Sequence, residues 1–272
     1  MTEFTDRVNR FRELHERGCF VIPNPWDRGS ARALVRLGFQ ALATTSAGFA
    51  WSMGHPDKHV ELDDVLGHLR AMSRAVDVPV SADFEGGFGI APEAVATHVA
   101  HAATTGISGL SIEDSSDDAA EPLYEFTLAV ERIKAARQAI DESRTGVLLT
   151  GRTEGFIVGR PDLRETVRRL TAFADAGADC LYAPGLRAIA DIKAVVAAVA
   201  PKPVNALVAS DFATVADLAA AGVRRISVGG ALARTAWTGF LEAAREIAEH
   251  GTFASLTRAM RGAELDRLLD AP

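Results

Sequence analysis

Acidic side chains are concentrated in two short stretches. The first is Asp83-Phe84-Glu85-Gly86-Gly87-Phe88-Gly89 and the second is Ile112-Glu113-Asp114. Two acids at alternate positions of an extended segment point the same way. The glycines that follow let the backbone turn sharply. Asp83, Glu85 and Glu113, brought together from neighbouring strand ends, would hold one hard cation. Mg²⁺ suits such oxygen donors because it keeps several of its waters, and Mn²⁺ would be the substitute. For Asp114 a structural role, as a helix cap or an arginine partner, is the expectation.

Three further segments carry polar groups suited to an anion. In Thr150-Gly151-Arg152-Thr153-Glu154 the guanidinium can grip a carboxylate with two parallel bonds, pair internally with Glu154, or both. Thr44-Thr45-Ser46-Ala47-Gly48 offers hydroxyls and backbone amides. Gly54-His55-Pro56-Asp57 offers an imidazole and a carboxylate on a loop. Val228-Gly229-Gly230 is either a phosphate site or a tight turn. His98 and His101 are expected to be a surface pair. Neither Cys19 nor Cys180 has a partner histidine by motif. No dinucleotide glycine fingerprint or phosphate-loop lysine motif appears.

Short apolar runs that would position these residues recur near 19–23, 41–45, 78–83, 109–113, 147–151, 180–183, 204–207 and 225–228. Amphipathic stretches fill the gaps. Phe126, Val130, Ile133, Arg137 and Ile140 mark one helical stripe. Pro92 suits a helix start, Asp162 suits an N-cap, and Gly177 and Gly222 suit helix stops. Eight strand–helix units in series predict an α/β fold, a (β/α)₈ TIM barrel. An open, doubly wound sheet is the alternative. The expected division is a catalytic barrel over 1–236 and a helical extension over 237–272, packed on the barrel or on a neighbouring subunit.

The chain has 272 residues, is 48% hydrophobic and carries a formal charge of −7. That charge argues against nucleic acid and anionic membranes as partners. No run approaches the roughly 20 apolar residues of a membrane span. The charged start of the chain is unlike a signal peptide. Two cysteines without a spacing motif, both expected in buried strands, fit a reducing compartment, and a cytoplasmic location is expected.

In this order, the segments resemble the isocitrate lyase/phosphoenolpyruvate mutase superfamily over 19–232. Asp83–Gly89 resembles its metal motif, usually Asp-Ala-Asp-Thr-Gly-Tyr-Gly. Ile112-Glu113-Asp114 matches its Ile-Glu-Asp, and Arg152-Thr153-Glu154-Gly155-Phe156 resembles its arginine element. The resemblance implies Mg²⁺ approached most directly by Asp83, with Glu85 and Glu113 acting through waters. It implies that Thr45, Ser46, Ala47 and Arg152 hold a substrate carboxylate, and that Asp57 lies close by. It also implies an eighth helix exchanged between subunits, in a homodimer or homotetramer. The segment after Asp114 departs from the pattern. Ser115-Ser116-Asp117-Asp118-Ala119-Ala120-Glu121 stands where isocitrate-type lyases carry Lys-Lys-Cys-Gly-His. Ala183-Pro184-Gly185 stands where phosphonate mutases carry histidine. Pro184-Gly185 and Pro203-Val204-Asn205 look more like oxaloacetate decarboxylase-type members, which adds Asn205 to the substrate contacts.

The resulting expectation is an Mg²⁺-dependent lyase or decarboxylase. It would cleave a C–C bond of a small 2-oxo or 2-hydroxy carboxylate through an enolate, with Asp57, Glu113 and Arg152 as catalytic residues. The alternatives are phosphonopyruvate hydrolysis or phosphonate rearrangement, and a non-catalytic dicarboxylate-binding barrel.

Overall fold

The computed structural model describes residues 3–116 and 118–270. Asp117, in the segment that replaces the lyase lid motif, lies outside the described residues. Eight strands form one sheet: β1 (Phe20–Ile22), β2 (Leu42–Ala43), β3 (Val80–Asp83), β4 (Gly109–Glu113), β5 (Leu148–Arg152), β6 (Cys180–Tyr182), β7 (Val204–Leu207) and β8 (Arg225–Ser227). Their order is β1-β8-β7-β6-β5-β4-β3-β2, and every paired neighbour is parallel. At the remaining seam, Ala43 N donates to Pro23 O at 3.1 Å, just beyond β1. The sheet is a nearly closed (β/α)₈ barrel, as the alternation predicts. Several strands are shorter than their apolar runs. Cys19 precedes β1 and is only half-buried, whereas Cys180 is buried.

The helices are α1 (Glu3–Glu16), α2 (Arg28–Arg36), α3 (Ser46–Ser52), α4 (Leu62–Ala75), α5 (Pro92–Ala103), α6 (Phe126–Ser143), α7 (Leu163–Asp175), α8 (Ile189–Val199), α9 (Val215–Ala220), α10 (Ala231–His250) and α11 (Gly262–Leu269). Pro92 opens α5, and the Asp162 carboxylate accepts from Glu165 N to cap α7. Gly177 and Gly222 follow their helices with φ of 102° and 89°. The buried face of α6 differs from the expected stripe. Ala129, Arg132, Ile133, Ala136 and Ile140 turn inward, and Arg132 is only 1% exposed.

The period of two along a strand sorts the barrel wall into two faces. Leu110, Ile112, Leu149, Leu181 and Ile226 join the apolar layer under the helices. Ser81, Ser111, Asn205, Arg225 and Ser227 face the interior and line a cavity. An interior of this polarity departs from the aliphatic layers that usually fill a barrel. Helix α1 closes the amino-terminal end. Phe11 is fully buried there, and a Cβ on Gly109 would meet its ring at 2.6 Å.

Helix α10 runs unbroken through Trp237, the point expected to separate barrel from extension. Its side chains Trp237, Phe240, Leu241 and Ile247 are exposed. No described helix is long and apolar enough to cross a membrane.

Candidate active site

The carboxyl ends of the strands carry the site, where barrel enzymes hold their chemistry. Asp83 closes β3. Its Oδ2 accepts from Ser46 N and Ser46 Oγ, both at 3.0 Å, and its Oδ1 accepts from Arg152 at 3.2 Å. Its own amide donates to Thr44 Oγ1 at 2.9 Å. The chain then leaves the strand. Glu85 sits at φ 47°, Gly87 at 77° and Phe88 at 58°. Asp83 and Glu85 are therefore not alternate residues of one strand. Glu85 is carried on a left-handed turn, a conformation that strains a side chain with a Cβ.

That turn is strapped from outside. Arg132 donates to the carbonyls of Gly86, Gly89 and Ile90, and its guanidinium lies 4.1 Å from the centre of the Tyr124 ring. His98 Nδ1 contacts Gly87 O at 2.9 Å, so His98 braces the turn rather than forming a surface pair with His101. Glu85 O accepts from Glu113 N at 3.0 Å, joining the turn to β4.

Glu113 ends β4 and is 4% exposed. Its Oε1 accepts from Ser115 Oγ at 2.6 Å and faces Lys58 Nζ at 3.2 Å, and its Oε2 faces Arg152 at 3.3 Å. Burial works to raise its pKa, but Arg152 and then Lys58 outweigh it and hold Glu113 below the usual carboxylate range. Asp114 turns away into a structural network. It accepts from Thr153 Oγ1 at 2.8 Å, Glu154 N at 2.9 Å and Arg169 at 3.0 Å.

Arg152 is the hub. It contacts Asp83, Glu113 and Glu154, the last at 2.5 Å. The internal pair with Glu154 expected from the sequence is formed, and Asp83 and Glu113 share the same guanidinium. Thr45 and Ser46, the expected anion cradle, likewise have partners within the chain. Thr45 Oγ1 accepts from Gly48 N to cap α3, and both Ser46 donors go to Asp83. Ala47 lines the cavity. The turn after β8 is tied down rather than open, because Val228 N and Gly229 N both donate to Asn24 Oδ1.

Asp57 stands at the exposed rim of the same cavity. Desolvation there, and then the charge of Asp83, hold its carboxyl above the usual range. His55 lies apart, in a groove beside Trp51 and Trp237. Glu85 is pushed up to about 8, first by burial and then by Asp83 and Glu113. Asn205 sits deeper, donating to Ser227 Oγ and accepting from Arg225 Nε, both at 2.9 Å. Tyr182 also lines the cavity, and burial pushes its phenol up to about 12. The cavity measures about 200 Å³, suited to a small acid.

Burial and the neighbouring acids thus hold Asp57 and Glu85 above the usual carboxylate range despite Lys58, and the oxygen donors gathered at the mouth fit a divalent cation. Asp83, Glu85 and Glu113 share the mouth without forming a direct cluster. Among the described residues no three His, Cys, Asp or Glu side chains are placed to hold an ion together. Arg152 bridges Asp83 and Glu113, at 3.2 and 3.3 Å. The arrangement suits a hydrated ion approached by Asp83.

Lys58, Arg132, Tyr182 and Arg225 escaped the sequence reading. Lys58 adjoins Asp57, and Arg225 stands at an inward-facing strand position. Both are signals of a kind. Arg132, one of many helical arginines, carries none.

Comparison with known proteins follows the geometry. Residues 11–248 match the family described as phosphoenolpyruvate phosphomutase. An uncharacterized protein of Mycobacterium tuberculosis is 36% identical over 263 residues, 96% of each chain. An oxaloacetate decarboxylase of Bradyrhizobium diazoefficiens is 30% identical over 203 residues, 72% of this chain and 69% of that one. A crystal structure from Burkholderia cenocepacia J2315, assigned only to the lyase/mutase class, is 46% identical. It superposes with a TM-score of 0.96, over 100% of this chain and 99% of that one.

Proposed function

This chain belongs to the phosphoenolpyruvate phosphomutase family, and on that footing we propose that it is a Mg²⁺-dependent lyase or decarboxylase. Its substrate is a small 2-oxo or 2-hydroxy acid of the oxaloacetate type, cleaved at a C–C bond through an enolate. The observation that carries this reading is Asp83, fixed by Ser46 and Arg152 at the mouth of a cavity sized for such an acid. The oxaloacetate decarboxylase among its relatives points the same way.

A divalent cation held by Asp83, with Glu85 and Glu113 through waters, would supply Lewis-acid polarisation of the substrate oxygens. The remaining work falls to the chain's own groups. Arg152 positions Asp83 and Glu113 by binding both. Asp57, with its raised pKa, can hold or release a proton at the rim. The Tyr182 phenol stays protonated and can donate a hydrogen bond to an oxygen on which charge develops. Neither cysteine lines the cavity, so thiol proton delivery has no group to perform it there.

The test is NMR of 2-oxo and 2-hydroxy di- and tricarboxylates incubated with protein and Mg²⁺. Pyruvate formed from oxaloacetate, and lost in Asp83→Ala with the fold intact, supports the reading. Undiminished turnover in Asp83→Ala removes the cation from the mechanism. Phosphate release from phosphonopyruvate would assign phosphorus–carbon chemistry instead. Ligand-induced stabilisation with no turnover across the panel would assign a binding barrel.

The same reading places the protein in the cytoplasm as a homodimer or homotetramer, with α10 covered by a neighbouring copy. The exposed Trp237, Phe240, Leu241 and Ile247 support that, since a contiguous apolar face of this kind marks an interface. Light scattering that gives a monomer mass would refute it.

A further inference from the structure

We propose that Arg225 is the receptor for a second anionic group of the substrate, so that the cavity selects small dicarboxylates over monocarboxylates of equal length. This rests on the reading that the cavity binds a small acid.

Arg225 opens β8 and projects into the barrel. It is 5% exposed and lines the same cavity as Ser46, Asp57 and Asp83. Its partners are all neutral. Nε donates to Asn205 Oδ1 at 2.9 Å, Nη2 donates to Thr150 Oγ1 at 3.1 Å, and Nη1 approaches His15 Nε2 at 3.4 Å. His15 Nδ1 lies 2.7 Å from Phe11 O, which places the ring proton on Nδ1 and leaves Nε2 as the acceptor. Burial, and then Arg225 itself, hold the His15 pKa down to about 3, so the ring is uncharged at neutral pH.

Among the described residues, no aspartate or glutamate forms an ion pair with Arg225. A guanidinium has five donors, and three neutral contacts leave two of them over. A buried cation without a counter-charge is costly, and a ligand anion that reached it would relieve that cost. Arg152, the other arginine of the cavity wall, is occupied by three acids. The cavity is therefore negative at its mouth and positive at its floor. A substrate with two carboxylates would enter with one group toward the floor, leaving its reacting end beside Asp83 and Asp57.

The test is calorimetric binding, in Mg²⁺, of succinate and butyrate to the wild type, Arg225→Met and Arg225→Lys. The wild type is expected to bind succinate tighter than butyrate by about tenfold or more, the scale of a charge-assisted contact. Arg225→Met should erase that ratio, and Arg225→Lys should keep part of it. A purely structural role would lower stability without changing the ratio. Equal affinities in the wild type, or a ratio that persists in Arg225→Met, would overturn the proposal. Should Arg225→Met fail to fold, a crystal of the wild type with succinate decides. A carboxylate on Arg225 supports the assignment, and both carboxylates at the mouth refute it. Oxaloacetate turnover without dicarboxylate preference would sink only the role of Arg225. Preference without turnover would sink only the proposed reaction.

Discussion

Replacing Arg132 by methionine isolates what holds the Asp83–Gly89 turn in place. Glu85 and Phe88 occupy left-handed backbone conformations, which cost roughly 1–2 kcal/mol each. The turn therefore carries about 2–4 kcal/mol of strain. Arg132 opposes it with charge-assisted bonds to the Gly86, Gly89 and Ile90 carbonyls, each worth roughly 1.5–3 kcal/mol. Methionine fills much of the same volume but donates nothing. The carbonyls it frees lie on a loop that can open to water. The free energy of local opening should fall by about 3 kcal/mol, on the order of a hundredfold in amide exchange. Hydrogen exchange read by mass spectrometry on peptides covering 84–90 and 113 measures it, because Gly87 N and Glu113 N are both hydrogen-bonded within the turn. The urea midpoint of global unfolding should move much less. Unchanged exchange in the turn would refute the strap. A global loss equal to the local one would show that Arg132 is simply a core residue.

Asp114→Ala strips the acid from Arg169, Thr153 and Glu154 N. It should destabilise the fold by about 3–5 kcal/mol in urea denaturation, with Asp114→Asn losing less because it keeps an acceptor. His15 has a folded pKa near 3 against an ordinary 6.5. Its depressed value means the unfolded chain takes up the proton first. Its contribution to stability is complete above pH 6.5 and declines as pH falls toward 3, by about 2 kcal/mol between pH 7 and pH 5. His15→Gln should flatten that slope in denaturant melts at the two pH values. Glu85, held up to about 8, must lose its proton to assist a cation. Mn²⁺ affinity, measured by electron paramagnetic resonance from about pH 6 to about pH 9, should rise by up to about tenfold per unit and level off near 8. Glu85→Gln should remove the rise, and an unaltered profile would exclude Glu85 from the site.

The strands and helices were legible because burial imposes a period on each. Apolar runs marked all eight strands, and Pro92, Asp162, Gly177 and Gly222 marked helix ends through local backbone chemistry. The gathering of Ser46, Asp57, Asp83, Glu85, Glu113 and Arg152 at one rim followed from parallel closure, since strand ends in a barrel share one face. Which atoms meet was decided by the tertiary structure alone. Asp83 and Arg152 are separated by 69 positions, and Arg132 and Gly89 by 43. No local pattern records that one arginine would bridge two acids expected to bind a metal, or that another would strap the loop carrying them. Nor does it record that a third would lie under the cavity without an acid. Sequence periodicity says which face a side chain turns to. Charge pairing depends on distances between strands and helices far apart in the chain, and only the folded barrel sets those.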